Sequence, residues 1–482
     1  MRLRSPAAAV WAMAAVYAAV FSYLSVQRHR SFWTGRFDLG NMVQAVWSTA
    51  QGRPLETTDV AGRQFVRLGA HVDPILVLFA PLTWTGHLPE AMLIAQAVIV
   101  ATGAIPAYHL GRRWLGDARL GVAAAAVYLL YPPLQWATVA EFHPVTLAAP
   151  LLLFCIWFAQ ERRWLWLAVF AVAAALTKEQ VGLALAVLGL WLFVSGARRA
   201  GAVLAGASLA WVALCMTVII PHFNRGEPSE FIGRYSHLGD GPAGVVGTVL
   251  TRPWVVVETV AEPGRLAYLA ALLAPLLFLP LAAPLLAAAA LPELGLNLLA
   301  EWYPQYSFRY HYVAVIVPFF VAASLLGLAR LRPRLERFAP GSLRGPMAAW
   351  VVWVALAGVV LGPLPWWSHV PLGSDDRAAQ YAPDAHARTL ARAVALIPDG
   401  EAVSAGNLIG AHVSARRRIL FFPQIDDARW VIVDRLRPFV FGAIAPNVHE
   451  ARVAALRDDP RFEIVFEEDG VIVARRRGGE GT

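Results

Sequence analysis

Five short polar clusters interrupt an otherwise apolar chain, and their residue types suit proton transfer and phosphate binding. Arg36-Phe-Asp-Leu-Gly40 carries Asp38, His71-Val-Asp-Pro74 carries His71 and Asp73, and Glu141-Phe-His-Pro144 carries Glu141 and His143. Thr177-Lys-Glu-Gln180 carries Lys178 and Glu179, and the aromatic stretch Glu301–Tyr312 carries Arg309 and His311. A carboxylate at a membrane surface can serve as general base for an acceptor hydroxyl. Lysine or arginine at the same depth can neutralise a phosphate, arginine bidentately. Ionisable groups beside or within apolar spans are costly and usually serve a purpose.

Each cluster also has a purely structural reading. Asp38 stands directly before an amphipathic pattern, where a carboxylate makes a good N-cap. Asp73 can cap the Pro-initiated segment after it. Alternatively it joins His71 and Asp38 in a set that suits diphosphate or a hard divalent cation, although the spacing matches no specific metal motif and leaves metal dependence open. Glu141 and His143 can stabilise the helix opening at Pro144. Lys178 and Glu179 can pair with one another at the turn of an apolar hairpin. The Tyr and Trp residues around Arg309 and His311 are expected at an interface as anchors, but anchoring leaves the arginine and histidine unexplained.

The elements that must position these clusters are membrane spans. The chain has 482 residues, 58% hydrophobic and 15% charged, with mean hydropathy +0.52, whereas soluble domains average about 25% charged. Apolar runs recur from Ala7 to Trp366. Composition becomes ordinary from Ser374, dividing the chain into a transmembrane domain over 1–370 and a soluble tail over 374–482. Runs long enough for a crossing fall near 7–26, 90–110, 120–137, 144–160, 200–220, 264–281, 282–300, 312–329 and 347–366. Two shorter runs, 164–177 and 181–195, flank Lys178 and Glu179.

Counting both short runs as crossings gives about eleven spans. It puts Arg2/Arg4, Arg112/Arg113, Arg162/Arg163, Arg198/Arg199 and the Arg330–Arg344 cluster on one side, as the positive-inside rule requires. The expected topology is a multi-pass protein of the plasma (inner) membrane, N-terminus cytoplasmic and tail extracytoplasmic. The start reads as a retained first helix rather than a cleaved signal peptide. All five polar clusters then fall on the outer side. Asp38–Ala50 has the apolar spacing of an amphipathic helix lying on the bilayer, within an outer loop over 27–89. Ile75–Trp84 reads as interfacial or re-entrant, and a second outer loop, Pro221–Pro263, contains a helix around Ala243–Val260.

The tail reads as α/β. Helices are expected over 384–397 and 447–457, strands over 419–422 and 430–433, and a hairpin pairs 462–466 with 471–474 around Glu-Asp-Gly. Cys155 and Cys215 both fall in apolar runs and indicate packing rather than a disulfide or metal framework. The net charge of +8 lies in short inter-span clusters, with no basic stripe interleaved with aromatics, so nucleic acid is not an expected partner. No Gly-rich phosphate loop, H-E-x-x-H site, nucleophile elbow or kinase set occurs.

The ordered motifs F-D-L-G at Phe37–Gly40, H-V-D-P at His71–Pro74, E-F-H-P at Glu141–Pro144 and K-E-Q at Lys178–Gln180 resemble domain-of-unknown-function family 2079. Those are bacterial and archaeal polytopic membrane proteins with little established biochemistry. More distantly, the layout resembles the GT-C glycosyltransferase superfamily, which uses polyprenyl-phosphate sugars. That resemblance implies Asp38 as base, with Lys178 and Arg309 as phosphate contacts and His311 beside them. Glu141, His143 and Asp73, with His71 and Glu179, would shape the acceptor or a cation site. The acidic pair of several mannosyltransferases is not evident after Asp38.

The function implied is transfer of a sugar from a polyprenyl-phosphate donor to an acceptor in the cell envelope. A transporter or lipid flippase using Lys178 and Glu179 is the alternative, and it requires polar groups running toward the midplane and access from both sides. Gln96, His109 and Asn297 are the main interior candidates. A receptor or scaffold built on the tail is a third, which would leave the membrane-surface charges unexplained.

Overall fold

The computed structural model describes residues 5–338, 343–370, 376–438 and 446–477, and helix dominates it. Arg2, Arg4 and the expected boundary at Ser374 lie outside the described residues. In a bilayer an apolar segment must close its own backbone hydrogen bonds, so these runs fold as helices. Helix α1 (Pro6–Arg30) opens with Ser5 accepting the Ala8 N–H at 3.2 Å and Pro6 in the first turn. Val10, Ala14, Tyr17, Phe21 and Leu24, three or four residues apart, form its buried stripe, while Trp11, Val16 and Tyr23 face outward. Helix α2 (Asn41–Ala50) follows in the first loop. Helices α3 (Leu88–Ala101) and α4 (Ala104–Leu115) together make one long apolar helix. Helices α5 (Ala118–Leu130) and α6 (Pro132–Val139) are bent by 50° where Pro132 interrupts them. Helices α7 (Ala148–Gln160), α8 (Trp164–Ala175), α9 (Val181–Val194) and α10 (Arg198–Leu214) follow.

Among the described residues, five helices are long and apolar enough to cross a membrane, or seven if each bent pair is one span. The remaining expected crossings are shorter. The run at 264–281 gives a helix only over Pro263–Leu273. Pro275, Pro280 and Pro284 remove backbone donors just where the helix would continue, and Leu277 and Phe278 turn left-handed at φ 53° and 55°. The run at 164–195 is not one helix, because it breaks at Thr177–Gln180 between α8 and α9. In the second loop, Pro253 splits the expected helix into Gly241–Thr251 and Pro253–Val260, bent by 92°.

Helix α2 corrects the bilayer-lying expectation. Met42, Val43, Gln44, Ala45, Val46 and Ser48 are all buried, so protein covers the helix on nearly every side. Its cover is partly the tail. Gln44 Nε2 donates to Arg417 O at 2.8 Å and to Thr58 Oγ1 at 2.9 Å, and its Oε1 accepts the Thr58 N–H at 2.9 Å. Arg36 donates to Thr58 O at 2.9 Å and Ile419 O at 3.0 Å. A Cβ on Gly40 would lie 2.6 Å from Ser414 Oγ and 3.2 Å from Ala411 Cα. The glycine of the F-D-L-G motif is therefore what lets the tail come so close.

The tail holds a five-stranded sheet. Strands β1 (Glu56–Thr58) and β2 (Gln64–Val66) belong to the first loop, and β3 (Val403–Ala405), β4 (Ile419–Phe421), β5 (Trp430–Asp434), β6 (Phe462–Glu468) and β7 (Val471–Arg476) make the tail sheet. Its order is β4-β3-β5-β7-β6, parallel around β3 and antiparallel from β5 to β6. Alternation sends Ile432, Val471 and Val473 to a core with helix Ala385–Val394, and Val431, Val433, Ile472 and Ala474 to a core with helix Pro446–Asp458. The expected hairpin forms with Asp469 and Gly470 at positive φ. Interior strand β3, Val403–Ala405, was not foreseen.

His386 ties the tail together, donating to Asp469 at 2.8 Å and to Asp434 at 2.9 Å. Burial works against its charge, but the two carboxylate bonds outweigh it and raise its pKa. This contribution to stability is complete below histidine's ordinary value and is lost as pH rises through the raised folded value. Thermal unfolding should therefore show His386→Ala destabilising the tail more at about pH 6 than at about pH 9. Equal destabilisation at both would contradict the charged pairing.

Candidate functional site

The ends of α1, α6 and α9, together with the first loop and the aromatic stretch, meet at one end of the helical core. Asp38 sits in a single π turn, Arg36–Gly40, just before α2. It does not cap that helix, since neither the turn nor α2 has a side-chain cap. The capping work comes from elsewhere in the chain. Glu141 Oε2 accepts the Gly35 N–H and the Leu39 N–H, both at 3.0 Å, and so clamps the turn from both sides of Asp38. Glu141 is held at φ 85°, a conformation costly for any residue but glycine. Gln96 supports it, donating to Thr138 O at 2.9 Å and Glu141 O at 2.7 Å and accepting the His143 N–H at 2.9 Å. Burial first and the nearby Asp38 charge second push the Glu141 carboxyl up to about 8, against Arg28 and the two backbone donors.

Asp38 Oδ1 accepts from His143 Nε2 at 3.1 Å; the Asp38 side chain is 52% exposed and that of His143 only 6%. An ionised carboxylate only accepts, so Nε2 carries the proton. Desolvation pulls the Asp38 pKa upward, but the His143 hydrogen bond and the charges of His143, Arg67 and Arg28 outweigh it and hold Asp38 below its ordinary value. An ionised, outward-facing carboxylate aimed by a buried imidazole is suited to accept a proton.

A chain of ring contacts leads away from His143. It stacks on His311 at 3.5 Å, and His311 meets Tyr312 at 4.1 Å. Burial, then the charges of His143 and Lys178, push the His311 pKa well down. Lys178 Nζ lies 5.8 Å from the Tyr312 ring and the Arg234 guanidinium 6.0 Å from it, two cations within reach of one aromatic ring. Arg234 also covers Phe231 at 4.7 Å. Phe231 stacks on His71 at 4.3 Å, and His71 donates to Glu179 at 3.1 Å. The contacts thus return to the residue beside Lys178.

This geometry revises several expectations. Glu179 does not pair with Lys178; it binds His71 and the Val72 N–H, the latter at 2.9 Å. Asp73 neither caps nor joins Asp38, because Arg67 holds it in a buried salt bridge at 2.8 Å. With Asp73 and Glu179 so committed, the cation set of Asp38, His71 and Asp73 is not assembled. No group of three or more His, Cys, Asp or Glu residues among those described could hold a metal ion. Arg309 is exposed and lies over Trp136 and Phe308, both at 5.8 Å, rather than over Tyr312.

The sequence reading missed Arg28, Arg67, Arg234 and Glu293. Arg234 stands between Phe231 and Tyr235, and the same argument that singled out Arg309 would have found it. Glu293 is 3% exposed inside an apolar run, where an acid is itself the signal; Gln180 hydrogen-bonds it and Lys178 lies within its field.

The family model described as "Predicted membrane protein (DUF2079)" matches residues 28–473. The chain belongs to the DUF2079 family. The match covers the whole circuit of contacts from Arg28 to Tyr312 and nearly all of the tail. No curated protein matches this DUF2079 member in sequence. Among solved structures, the archaeal oligosaccharyltransferase AglB from Archaeoglobus fulgidus, in complex with an inhibitory peptide and a dolichol-phosphate, is similar at TM-score 0.44 and 14% identity. That likeness covers 88% of this chain and 69% of the other, and it is too loose to fix an activity or a ligand here.

The clamp is testable apart from any chemistry. Glu141→Ala should leave the Gly35 and Leu39 N–H groups without their acceptor and destabilise the protein by about 1–3 kcal/mol. Glu141→Gln, which keeps an acceptor oxygen, should recover most of that in thermal unfolding. Equal losses in the two variants would show that the acceptor oxygen is not what holds the turn.

Proposed function

We propose that this DUF2079 protein is a membrane glycosyltransferase that moves a sugar from a polyprenyl-phosphate donor to an acceptor in the cell envelope. The observation that carries the reading is the pairing of half-exposed Asp38 with buried His143, at the same end of the helical core as two cations over one tyrosine ring. In the proposed step Asp38 takes the proton of the acceptor hydroxyl while that oxygen attacks the anomeric carbon. The bond from that carbon to the lipid phosphate breaks, and its electron pair leaves with the phosphate. Lys178, with Arg234 joining the expected Arg309, would offset the departing charge. His311 would act as a spacer that positions His143. The anchored donor puts the reacting carbon near the headgroups. That supports an orientation with the clusters and tail extracytoplasmic and the N-terminus cytoplasmic, and a count near eleven would require the shorter apolar helices to cross as well.

The transport reading is weakened by what its interior polar groups do. Gln96 is used in holding Thr138, Glu141 and His143. Asn297 donates to Tyr268 at 3.1 Å and Tyr312 O at 3.0 Å, and His109 stacks on Trp157 at 4.1 Å.

The test is release of free polyprenyl phosphate by reconstituted protein offered a panel of polyprenyl-phosphate sugars and a cell-envelope acceptor fraction. Asp38→Asn should fold normally and lose roughly a hundredfold or more of turnover; normal turnover would remove Asp38 from the mechanism. Lys178→Ala and Arg234→Ala should each weaken donor binding roughly tenfold or more. Because His143 lowers the Asp38 pKa, the wild type should lose activity only as pH falls below the usual carboxylate range. His143→Phe should move that acid limb to higher pH. A limb that stays in place in the pH–rate profile would mean that His143 does not tune the base.

A further inference from the structure

We infer that the groove between α8 and α10 holds one anionic glycerophospholipid, its headgroup on Arg162, Arg198 and Arg199 and an acyl chain along the groove. The groove encloses about 890 Å³, with those arginines and Trp211 among its lining. Its origin is a mismatch in packing. A Cβ on Gly189 would lie 2.6 Å from Ala205 N, and one on Gly201 would lie 2.4 Å from Phe193 N, so glycine draws α10 against α9. Helix α8 instead packs on α7, where Phe154 stacks on Phe170 at 4.5 Å. Small side chains such as Ala171 and Ala207 face the resulting gap and do not fill it.

The two ends differ in chemistry, and this selects the occupant. The arginines stand at the beginnings of α8 and α10, and all three are exposed. Glu161, the acid beside Arg162, is paired with Arg113 at 3.2 Å. Arginine binds phosphate bidentately, so this rim suits an anionic headgroup. The other end is bridged, with Trp211 Nε1 donating to Ala175 O at 3.2 Å between α10 and α8. That bridge stands between the groove and Lys178, so a chain reaching down from the Asp38 site would be obstructed, whereas one entering from the arginine rim would not. Helix α8 rises about 18 Å against a hydrocarbon core of about 30 Å, which matches a chain confined to one leaflet. The inference does not rest on the proposed glycosyl transfer.

The experiment is native mass spectrometry of the purified full chain with phosphatidylglycerol or phosphatidylcholine of equal chain length. The wild type should retain one phosphatidylglycerol, preferred roughly tenfold or more, and the preference should fall as salt rises. Arg162→Gln, Arg198→Gln and Arg199→Gln together should abolish the preference, and Ala171→Phe should expel either lipid. Equal retention of both lipids, exchange without one-to-one stoichiometry, or a preference unmoved by salt would overturn the inference, using wild-type protein alone. Displacement of phosphatidylglycerol by polyprenyl phosphate would likewise overturn it and assign the groove to the donor chain.

Discussion

A single buried carboxyl group, that of Glu141, holds one end of the helical core together. Glu141 reaches from the connection after α6 to two backbone donors more than a hundred residues earlier in the chain, and Asp38 lies between those two donors. The arrangement is costly on two counts, a left-handed backbone and a carboxyl deprived of water. It persists because Gln96 fixes the neighbouring backbone and the tail fixes the other side of the turn, where Asn407 accepts the Phe37 N–H at 3.1 Å. Remove the clamp and Asp38 has no defined direction relative to His143, however well each helix folds.

Charge at the site is arranged on the same logic. The acids around Asp38 are already committed: Asp73 to Arg67, Glu179 to His71 and Val72, and Glu141 to backbone. Lys178 and Arg234 instead both lie against the Tyr312 ring. The face thus neutralises most of its acids internally and sets two cations against a tyrosine ring at the same end as one half-exposed carboxylate. Stacked rings keep these groups apart yet in fixed relation, His143 lying on His311 at 3.5 Å.

The sequence alone was a good guide to the membrane class and to which polar clusters come together. Hydropathy does not depend on context, and all five singled-out clusters supply members of one continuous set of contacts. Short motifs such as Phe37–Gly40 and Glu141–Pro144 stood out because an apolar background makes every ionisable residue conspicuous. The tail was legible where strands alternate over five or more residues, as in β5 and β7. It was not legible at β3, where Val-Ser-Ala lacks the continuous apolar run that marked the equally short β4. Partner identity was least legible. Proximity in sequence offered Glu179 as a partner for Lys178 and a helix for Asp38 to cap, as alternatives to a site role, but both carboxylates found partners about a hundred residues away.

What composition and spacing determined by themselves was the membrane class, the α/β tail and the residue types of the site, because burial preference and backbone periodicity are local properties. The tertiary structure decided which acid is exposed, which is clamped and which is neutralised by an arginine. It also decided that α2 is enclosed by the tail rather than laid on a bilayer. Those outcomes depend on distances between elements far apart in the chain, and an amphipathic face records only that it must be covered, not by what.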